Sequence, residues 1–204
     1  MKLYYSPGAC SLSPHVALRE SELPFELVKV DFQNGRKLPD GHSLSEVYPR
    51  NYVPALQLDD GQMLGENGVM IQWIADQVPH KNLAPKLGSF ERYRLMEKIN
   101  FVATELHKGL SPFFAPKVNE EYLNATKERL KARFGVLQSW LDANEWLMGD
   151  TFTVVDGYAL WTLRAWTNMT KPDLDKDFPG LAAYKKRLEA RPAIKAALDA
   201  EGLR

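Results

Sequence analysis

Strand-forming patterns are confined to the first 78 residues of this 204-residue chain, and this asymmetry limits the folds that it can adopt. Short apolar runs at Lys2–Tyr5 and Phe25–Asp31 predict two strands, with a helical pattern between them. After a polar loop, two further runs flank an Asp60-Gly61 turn, which is a hairpin signal, and a helical pattern follows. The order β-α-β, loop, β-β-α predicts a small mixed sheet with helices packed against it.

The rest of the chain predicts helices alone. Apolar residues recur three and four positions apart, as on amphipathic helices, in four stretches: Phe90–Leu110, Glu120–Asn144, Val154–Asn168 and Leu181–Leu198. Residues 79–88 combine prolines, glycine and lysines without an apolar period, which is typical of a linker. We therefore expect an α/β domain over residues 1–78, a linker over 79–88 and an all-α domain over 89–204.

Composition narrows the function classes. Basic and acidic residues balance at 26 each, so no net charge favours nucleic acid or an anionic membrane surface. The single cysteine excludes an internal disulfide and suits a reducing compartment. The first residues lack the apolar run of a signal peptide, and no stretch approaches the length of a membrane span. We expect a cytoplasmic protein with no nucleic-acid or membrane partner and no metal.

The one cysteine, Cys10, stands in the stretch YYSPGACSLSPH, between the first predicted strand and the first predicted helix. Free N–H groups and the dipole at a helix N-terminus favour a thiolate, so a reactive cysteine is predicted here, although lone cysteines are more often small buried apolar residues. Ser13 occupies the position three residues after Cys10, so no second thiol completes a Cys-x-x-Cys pair. A sulfur partner must then come from outside the protein, and glutathione is the abundant candidate in a reducing compartment.

Two short stretches fit a peptide-like ligand with charged ends. Val53-Pro54 leads into a strand, and a proline there leaves backbone groups free to pair with an extended ligand, unless it is simply a turn proline. Glu66-Asn67-Gly68 precedes a helix, with Asn67 as the expected N-cap, and a helix N-terminus also attracts anions. Each stretch alone also has an ordinary structural explanation.

A third stretch, NFVATELHKG, places Asn100, Thr104 and His107 on one face of a helix among apolar residues. Polar groups on such a stripe need hydrogen-bond partners or line a cavity. For His107, a hydrogen-bonded core histidine is the alternative.

Other polar residues are assigned to folding or to the surface. The stretch from Thr153 to Asp156 is a capping box before a helix, which gives Asp156 a structural role. The three remaining histidines lie on a polar helix face or in loops and receive no role: His15, His42 and His80.

Together these residues resemble the cytosolic glutathione transferases, most closely their bacterial beta class. The resemblance extends over the whole chain, through MKLYYSPGACSLSPH, NYVPALQLDDG, ATELHKGLSPFF, FTVVDGYAL and the final AEGLR. It implies a thioredoxin-like α/β N-terminal domain, an all-α helical-bundle C-terminal domain, a cis Val53–Pro54 bond and a homodimer. It also implies glutathione as co-substrate and transfer of its thiolate to small apolar electrophiles.

The resemblance further implies a role for each matching residue. Cys10 meets the glutathione sulfur, and His107 reaches toward it as a hydrogen-bond partner or proton relay. The backbone of Val53 holds the cysteinyl part of glutathione, and Glu66 with Asn67 holds the γ-glutamyl end.

The remaining implied contacts lie at the edges of the site. Arg36 or Lys37 is the basic residue for the glycyl carboxylate. Asn100, Thr104 and Glu105 form a helical wall of the site. The electrophile pocket is formed by Phe113, Phe114 and Trp166. The loop before Arg36 is one residue longer than is usual in the family, and Trp166 is shifted by one position.

Two other functions remain open from the sequence. A glutaredoxin-like thiol–disulfide oxidoreductase would use Cys10 itself to form a mixed disulfide with glutathione. A non-catalytic, transferase-like binding module has no need of Cys10, Asn100 and His107 together, and their joint presence argues against it.

Overall fold

The computed structural model describes residues 1–204, and its N-terminal part contains one four-stranded sheet. The strands are β1 Lys2–Tyr5, β2 Glu26–Lys29, β3 Ala55–Gln57 and β4 Met63–Leu64. Their order is β2-β1-β3-β4, with β1 parallel to β2 and antiparallel to β3, and with β4 antiparallel to β3. The predicted small mixed sheet is confirmed.

Helices make up most of the rest of the chain. They are α1 Leu12–Ser21, α2 Leu44–Val47, α3 Asn67–Asp76, α4 Phe90–Phe101, α5 Glu120–Ser139, α6 Val154–Thr170, α7 Leu174–Asp177, α8 Pro179–Ala190 and α9 Pro192–Ala200. None of them combines the length and the apolar character that a membrane span requires. The helical C-terminal part is confirmed, whereas the short helices α2 and α7 were not predicted.

The predicted helix Phe90–Leu110 changes its winding along its length. Regular α-helix ends at Phe101, a π-helical turn spans Val102–His107, and a 3-10 turn spans Lys108–Phe114. A π turn inserts an extra residue into a helix, and such turns are frequent at functional sites. His107 is the last residue of this one.

The predicted stretch Leu181–Leu198 is two helices rather than one. Pro192 has no N–H to donate and disfavours a helical conformation at Arg191, which is extended with ψ 135°. Helix α8 therefore ends at Ala190, and α9 begins at the proline itself.

The larger of two apolar clusters, with 39 buried residues, runs through both parts of the chain. It joins Leu3 and Leu56 of the sheet to Ile71 of α3 and then to Leu160 and Leu198 of the helical part. Helix α1 lies at the centre of this arrangement because it packs on α3, α6 and α9. The turn that carries Cys10 leads directly into α1, so the packing of α1 fixes one end of that turn.

Close packing and paired charges hold the two parts together. A Cβ atom at Gly157 of α6 would lie 3.0 Å from Val16 of α1, so glycine permits this close approach. Arg191 donates two hydrogen bonds, of 2.7 and 2.8 Å, to the carboxylate of Glu20. These contacts leave little freedom between α1 and the helical part.

Asp156 forms the predicted capping box of α6 and also joins two other segments to it. Its carboxylate accepts hydrogen bonds from the N–H groups of Thr153 at 2.8 Å and Leu147 at 2.9 Å, and from the Tyr184 hydroxyl at 2.6 Å. Full burial raises the pKa of Asp156, and these hydrogen bonds oppose the rise. The role in folding that the sequence predicted is confirmed.

Replacing this buried acceptor should be costly to stability. We expect Asp156→Ala to lower the free energy of unfolding by about 3 kcal/mol, because four buried donors, among them the Thr153 hydroxyl, lose their acceptor. Asp173→Ala, which removes the N-cap of the exposed helix α7, is the matched control and should cost about 1 kcal/mol or less. Urea titrations measure both, and equal losses would contradict this role for Asp156.

Candidate active site

The turn that carries Cys10 is closed by its own hydrogen bonds. The Ser11 hydroxyl accepts from the N–H of Ser6 at 3.1 Å and lies 3.2 Å from the Ser6 carbonyl oxygen, to which it donates. Helix α1 begins at Leu12, so Cys10 lies two residues before the first helical position. The sequence had predicted Cys10 at the N-terminus of the helix itself.

The C-terminal part of the chain fixes this turn at Gly8. The Gly8 N–H donates to Oε2 of Glu201 at 2.9 Å, and Nε1–H of Trp161 donates to the Gly8 carbonyl at 3.0 Å. The second oxygen of Glu201 lies 2.8 Å from Nδ1 of His15, and both side chains are fully buried. His15, to which the sequence assigned no role, therefore helps to anchor the turn.

Across from Cys10 lies the start of β3. The Val53–Pro54 peptide bond is cis, as the resemblance implied. The Cys10 thiol donates to the Val53 carbonyl oxygen, with Sγ and O 3.5 Å apart.

The start of α3 forms a third wall. Glu66 is the N-cap position, with a left-handed backbone at φ 65°, and Asn67 is the first residue of the helix rather than its cap. Arg50 and Tyr52 bind the Glu66 carboxylate at 3.1 and 2.8 Å. The Asn67 amide donates to the Cys10 carbonyl at 3.1 Å, while its buried Oδ1 has no partner in the protein.

These walls enclose a cleft of about 330 Å³. It brings together five of the predicted site residues, Cys10, Val53, Glu66, Asn67 and His107. The other lining residues are Tyr52, Pro54, Ala103, Lys108 and Tyr158.

Burial decides the protonation of Cys10. It raises the pKa of the thiol from 9.0 to about 11, although the N–H groups of Cys10 and Ser11 and the Asn67 side chain oppose this rise. The sequence had predicted a thiolate stabilised by the helix N-terminus. In the folded protein the loss of hydration outweighs those dipoles, and Cys10 is a neutral thiol at neutral pH.

Burial also keeps His107 neutral. Burial, with a smaller contribution from the neighbouring Lys108, lowers the pKa of the imidazole to about 4. Nδ1 of His107 lies 2.7 Å from the hydroxyl oxygen of Tyr158, whose pKa is raised by burial. The Trp161 ring packs edge to face on the imidazole, with 4.3 Å between ring centroids.

The sequence did not single out Tyr158 and Trp161, which lie one helical turn apart on α6. Both follow Asp156 closely, and the stretch FTVVDGYAL carries the first of them. Their spacing of three places them on one helix face, and only the packing of α6 directs that face toward His107.

Five predicted glutathione contacts lie outside the cleft of their own chain. Arg36 donates to the Asn51 carbonyl at 2.9 Å, and Lys37 pairs through its backbone with neighbouring loop segments. Asn100 and Thr104 are exposed on the outer side of the helix, and Glu105 forms an ion pair with Arg133 at 2.7 Å.

The three predicted electrophile-pocket residues also lie outside the cleft. Trp166 is only 2% exposed and stacks on Phe134, with ring centroids 4.0 Å apart, in the helical core. Phe113 packs partly buried against the core, and Phe114 is 60% exposed. The tryptophan beside His107 is Trp161, five positions earlier in the chain.

Comparison with known proteins agrees with this geometry. The family model described as glutathione S-transferase, N-terminal domain matches residues 3–82, and that described as glutathione S-transferase, C-terminal domain matches residues 101–192. The chain belongs to the glutathione S-transferase family. It is an enzyme of that family, and the resemblance found in the sequence is confirmed.

Three relatives of this glutathione transferase align over its full length. Glutathione S-transferase GstA of Escherichia coli O157:H7 is 40% identical, with 100% of each chain covered. The structure of a ternary complex of BphK, a bacterial transferase, is 48% identical with a TM-score of 0.94, again covering 100% of both chains. A bacterial beta-class transferase from Sphingomonas chungbukensis is 42% identical with a TM-score of 0.93 and the same coverage.

The neutral state of Cys10 can be tested directly. In glutathione-free enzyme, alkylation of this single cysteine by iodoacetamide should be slow at neutral pH and should rise with a midpoint near pH 11, because only the thiolate reacts. In urea, where burial is lost, the midpoint should return toward 9.0. A folded-state midpoint below that of the unfolded chain would show a stabilised thiolate and contradict this assignment.

Proposed function

We propose that this transferase joins the sulfur of glutathione to small, largely apolar electrophiles in the cleft between Cys10 and His107. The observation that carries the proposal is that two neutral polar groups, the Cys10 thiol and the His107 imidazole, line one preformed cleft. The Cys10 thiol, once its S–H turns from the Val53 carbonyl, and the His107 imidazole can both hydrogen-bond to a glutathione thiolate without adding a second negative charge.

The rest of the cleft fits the peptide part of glutathione. Backbone groups of Val53, beside Pro54, are suited to pair with the cysteinyl residue in the manner of an added strand. The N-terminus of α3 is suited to the γ-glutamyl carboxylate, and the Glu66 carboxylate to its ammonium group. The buried, unpartnered Oδ1 of Asn67 would also gain a donor from that ammonium group.

The glycyl end of glutathione would lie near Tyr52 and Val53, at the mouth of the cleft. Arg36 binds the Asn51 carbonyl next to this mouth, with its guanidinium 5.3 Å from the Phe32 ring. We propose that Arg36, or Lys37 beside it, turns to meet the glycyl carboxylate when glutathione binds.

In the proposed reaction, the S–H bond of glutathione breaks and its proton passes to water. The electron pair on sulfur then forms a C–S bond to the electrophile, and the leaving group departs with its own bonding pair. Hydrogen bonds from the protein to the thiolate lower the free energy of the charged sulfur before attack. Such a reaction suits the cytoplasm, where a lone free thiol such as Cys10 stays reduced.

The oxidoreductase alternative makes a different demand on Cys10. One relative, Disulfide-bond oxidoreductase YfcG of Escherichia coli, is 24% identical. In that alternative Cys10 must attack a disulfide as a thiolate, and its raised pKa opposes this at neutral pH. Conjugation requires no ionised Cys10 and is therefore favoured.

Removing the Cys10 sulfur should separate the two reactions. We expect Cys10→Ser, which keeps a hydroxyl donor, to retain conjugation of a chromogenic aryl halide within about tenfold, the effect of losing part of one hydrogen bond. Cys10→Ala should lose more of it. Both variants should show only background reduction of a glutathione mixed disulfide, because the nucleophilic sulfur is gone.

The two variants must first be shown to fold and to bind immobilised glutathione. Conjugation that vanishes in a folded, glutathione-binding Cys10→Ser protein would refute a hydrogen-bonding role for Cys10. A wild-type enzyme that passes through the glutathione column without retention would refute the proposed site.

We also propose that the enzyme is a homodimer and that its interface follows one stripe of α4. Tyr93 and Met96 are 61% and 38% exposed, and Asn100 and Thr104 continue the same stripe toward the cleft. Large exposed apolar side chains at helical spacing are typical of subunit interfaces. Since Asn100 and Thr104 lie outside the cleft of their own chain, their contact with glutathione would require the cleft of the partner.

Charges placed on this stripe should separate the subunits. We expect the double variant Tyr93→Glu, Met96→Glu to sediment as a monomer and to bind glutathione at least about tenfold more weakly, because partner contacts are lost. Lys186→Glu, at an exposed position of α8, which packs on α6, α7 and α9, is the control and should remain dimeric. A wild-type monomer, or a double variant that stays dimeric, would contradict the proposed interface.

A further inference from the structure

Two aromatic side chains of α6 hold the His107 ring in one orientation. The Tyr158 hydroxyl lies 2.7 Å from Nδ1, and the Trp161 ring packs against the imidazole at 4.3 Å. The Trp161 side chain is itself fixed, since its Nε1–H donates to Gly8. Nδ1 therefore faces Tyr158, while the opposite nitrogen, Nε2, has no partner in the protein and is available to the cleft that His107 lines.

The short contact with Tyr158 allows two arrangements of protons. Either the Tyr158 O–H donates to Nδ1, which leaves the imidazole proton on Nε2, or Nδ1–H donates to the Tyr158 oxygen, which leaves Nε2 bare. In the second arrangement the Tyr158 proton needs another acceptor. Besides His107, the Asn67 side chain also acts on this hydroxyl, but it does so as a donor, so it offers the Tyr158 proton no acceptor. Because Tyr158 is 2% exposed, that proton would be buried without an acceptor, which is costly.

We propose that Tyr158 is a positioning residue that holds His107 in its Nε2–H tautomer, so that His107 donates a hydrogen bond to the glutathione sulfur and does not take its proton. This inference rests on the proposed function for its consequence, but the tautomer itself belongs to the free protein. The glutathione S–H bond breaks with its proton going to water, the electron pair stays on sulfur, and Nε2–H stabilises the resulting charge.

The surroundings of His107 agree with a donor. Burial holds its pKa near 4, so at neutral pH the ring is neutral and carries a single N–H. The charged or titratable groups around it are Cys10 from the turn before α1, Glu66 from the start of α3, Lys108 beside it and Tyr158 from α6. Lys108 disfavours a protonated imidazole and Glu66 favours it, and the lowered pKa shows that burial with Lys108 prevails. So weak a base is poorly suited to accept the proton of a thiol.

The tautomer can be observed in the glutathione-free enzyme. Long-range proton–nitrogen correlation spectra of ¹⁵N-histidine-labelled protein distinguish a protonated ring nitrogen from a bare one, and the spectrum of His107→Gln assigns the signals. We expect a protonated Nε2 and a bare Nδ1. A proton on Nδ1 would overturn the proposal, whatever the enzyme does with glutathione.

The consequence for catalysis is tested by Tyr158→Phe, which keeps the ring and removes the hydroxyl. The pKa of enzyme-bound glutathione, followed by thiolate absorbance, should rise by about one unit, and kcat at neutral pH should fall about tenfold. KM for glutathione should stay within about twofold, because the peptide contacts are untouched. An unchanged thiol pKa in folded Tyr158→Phe would overturn the proposal.

Tyr184→Phe is the matched control. It removes a buried hydroxyl from the same helical part, where Tyr184 donates to Asp156 at 2.6 Å away from the cleft. It should lose stability without moving the thiol pKa, so a shift of equal size in both variants would assign the Tyr158 effect to stability and overturn the proposal. A wild-type enzyme that binds no glutathione would instead refute the proposed function, and the spectra of the free protein would still decide the tautomer.

Discussion

The carboxylate of Glu201 lies fully buried between the N–H of Gly8 and the ring of His15. Its hydrogen bond with Gly8 joins two residues that are 193 positions apart in the chain. A buried carboxylate is tolerated only where donors replace the water that it loses, so these partners are obligatory. One of them belongs to the turn before Cys10, and the other belongs to α1. The geometry around the Cys10 sulfur therefore depends on the last residues of the chain as much as on the first.

The same desolvation sets the chemistry of the cleft. Burial moves the pKa of Cys10 up to about 11 and that of His107 down to about 4, so both groups carry no charge at neutral pH. A site of neutral donors is suited to receive one negative sulfur from outside, whereas an ionised Cys10 would repel it. The two shifts have opposite signs but the same largest cause, which is the exclusion of water where the sheet, α3 and α6 meet.

Much of the fold and part of the candidate site could be predicted from the amino-acid sequence. The mixed sheet, the helical second part and the capping box at Asp156 follow from local patterns, because the periods of strands and helices and the hydrogen bonds of a cap are short-range properties. Cys10 and Glu66 were found for the same reason, since each stands at a junction between elements. The π-helical turn at Val102–His107 and the break at Pro192 changed the lengths of the predicted helices but not the order of the elements along the chain.

By itself the sequence determined which residues carry reactive groups and which elements bear them, since those are local facts. The protonation of Cys10 and the orientation of His107 were decided by the tertiary structure, because both depend on how much water the packed chain excludes and on which side chains arrive from α6. Trp166 and Trp161 illustrate the difference. Both are tryptophans of one helix, and only the packing of α6 places the first against Phe134 in the helical core and the second against His107.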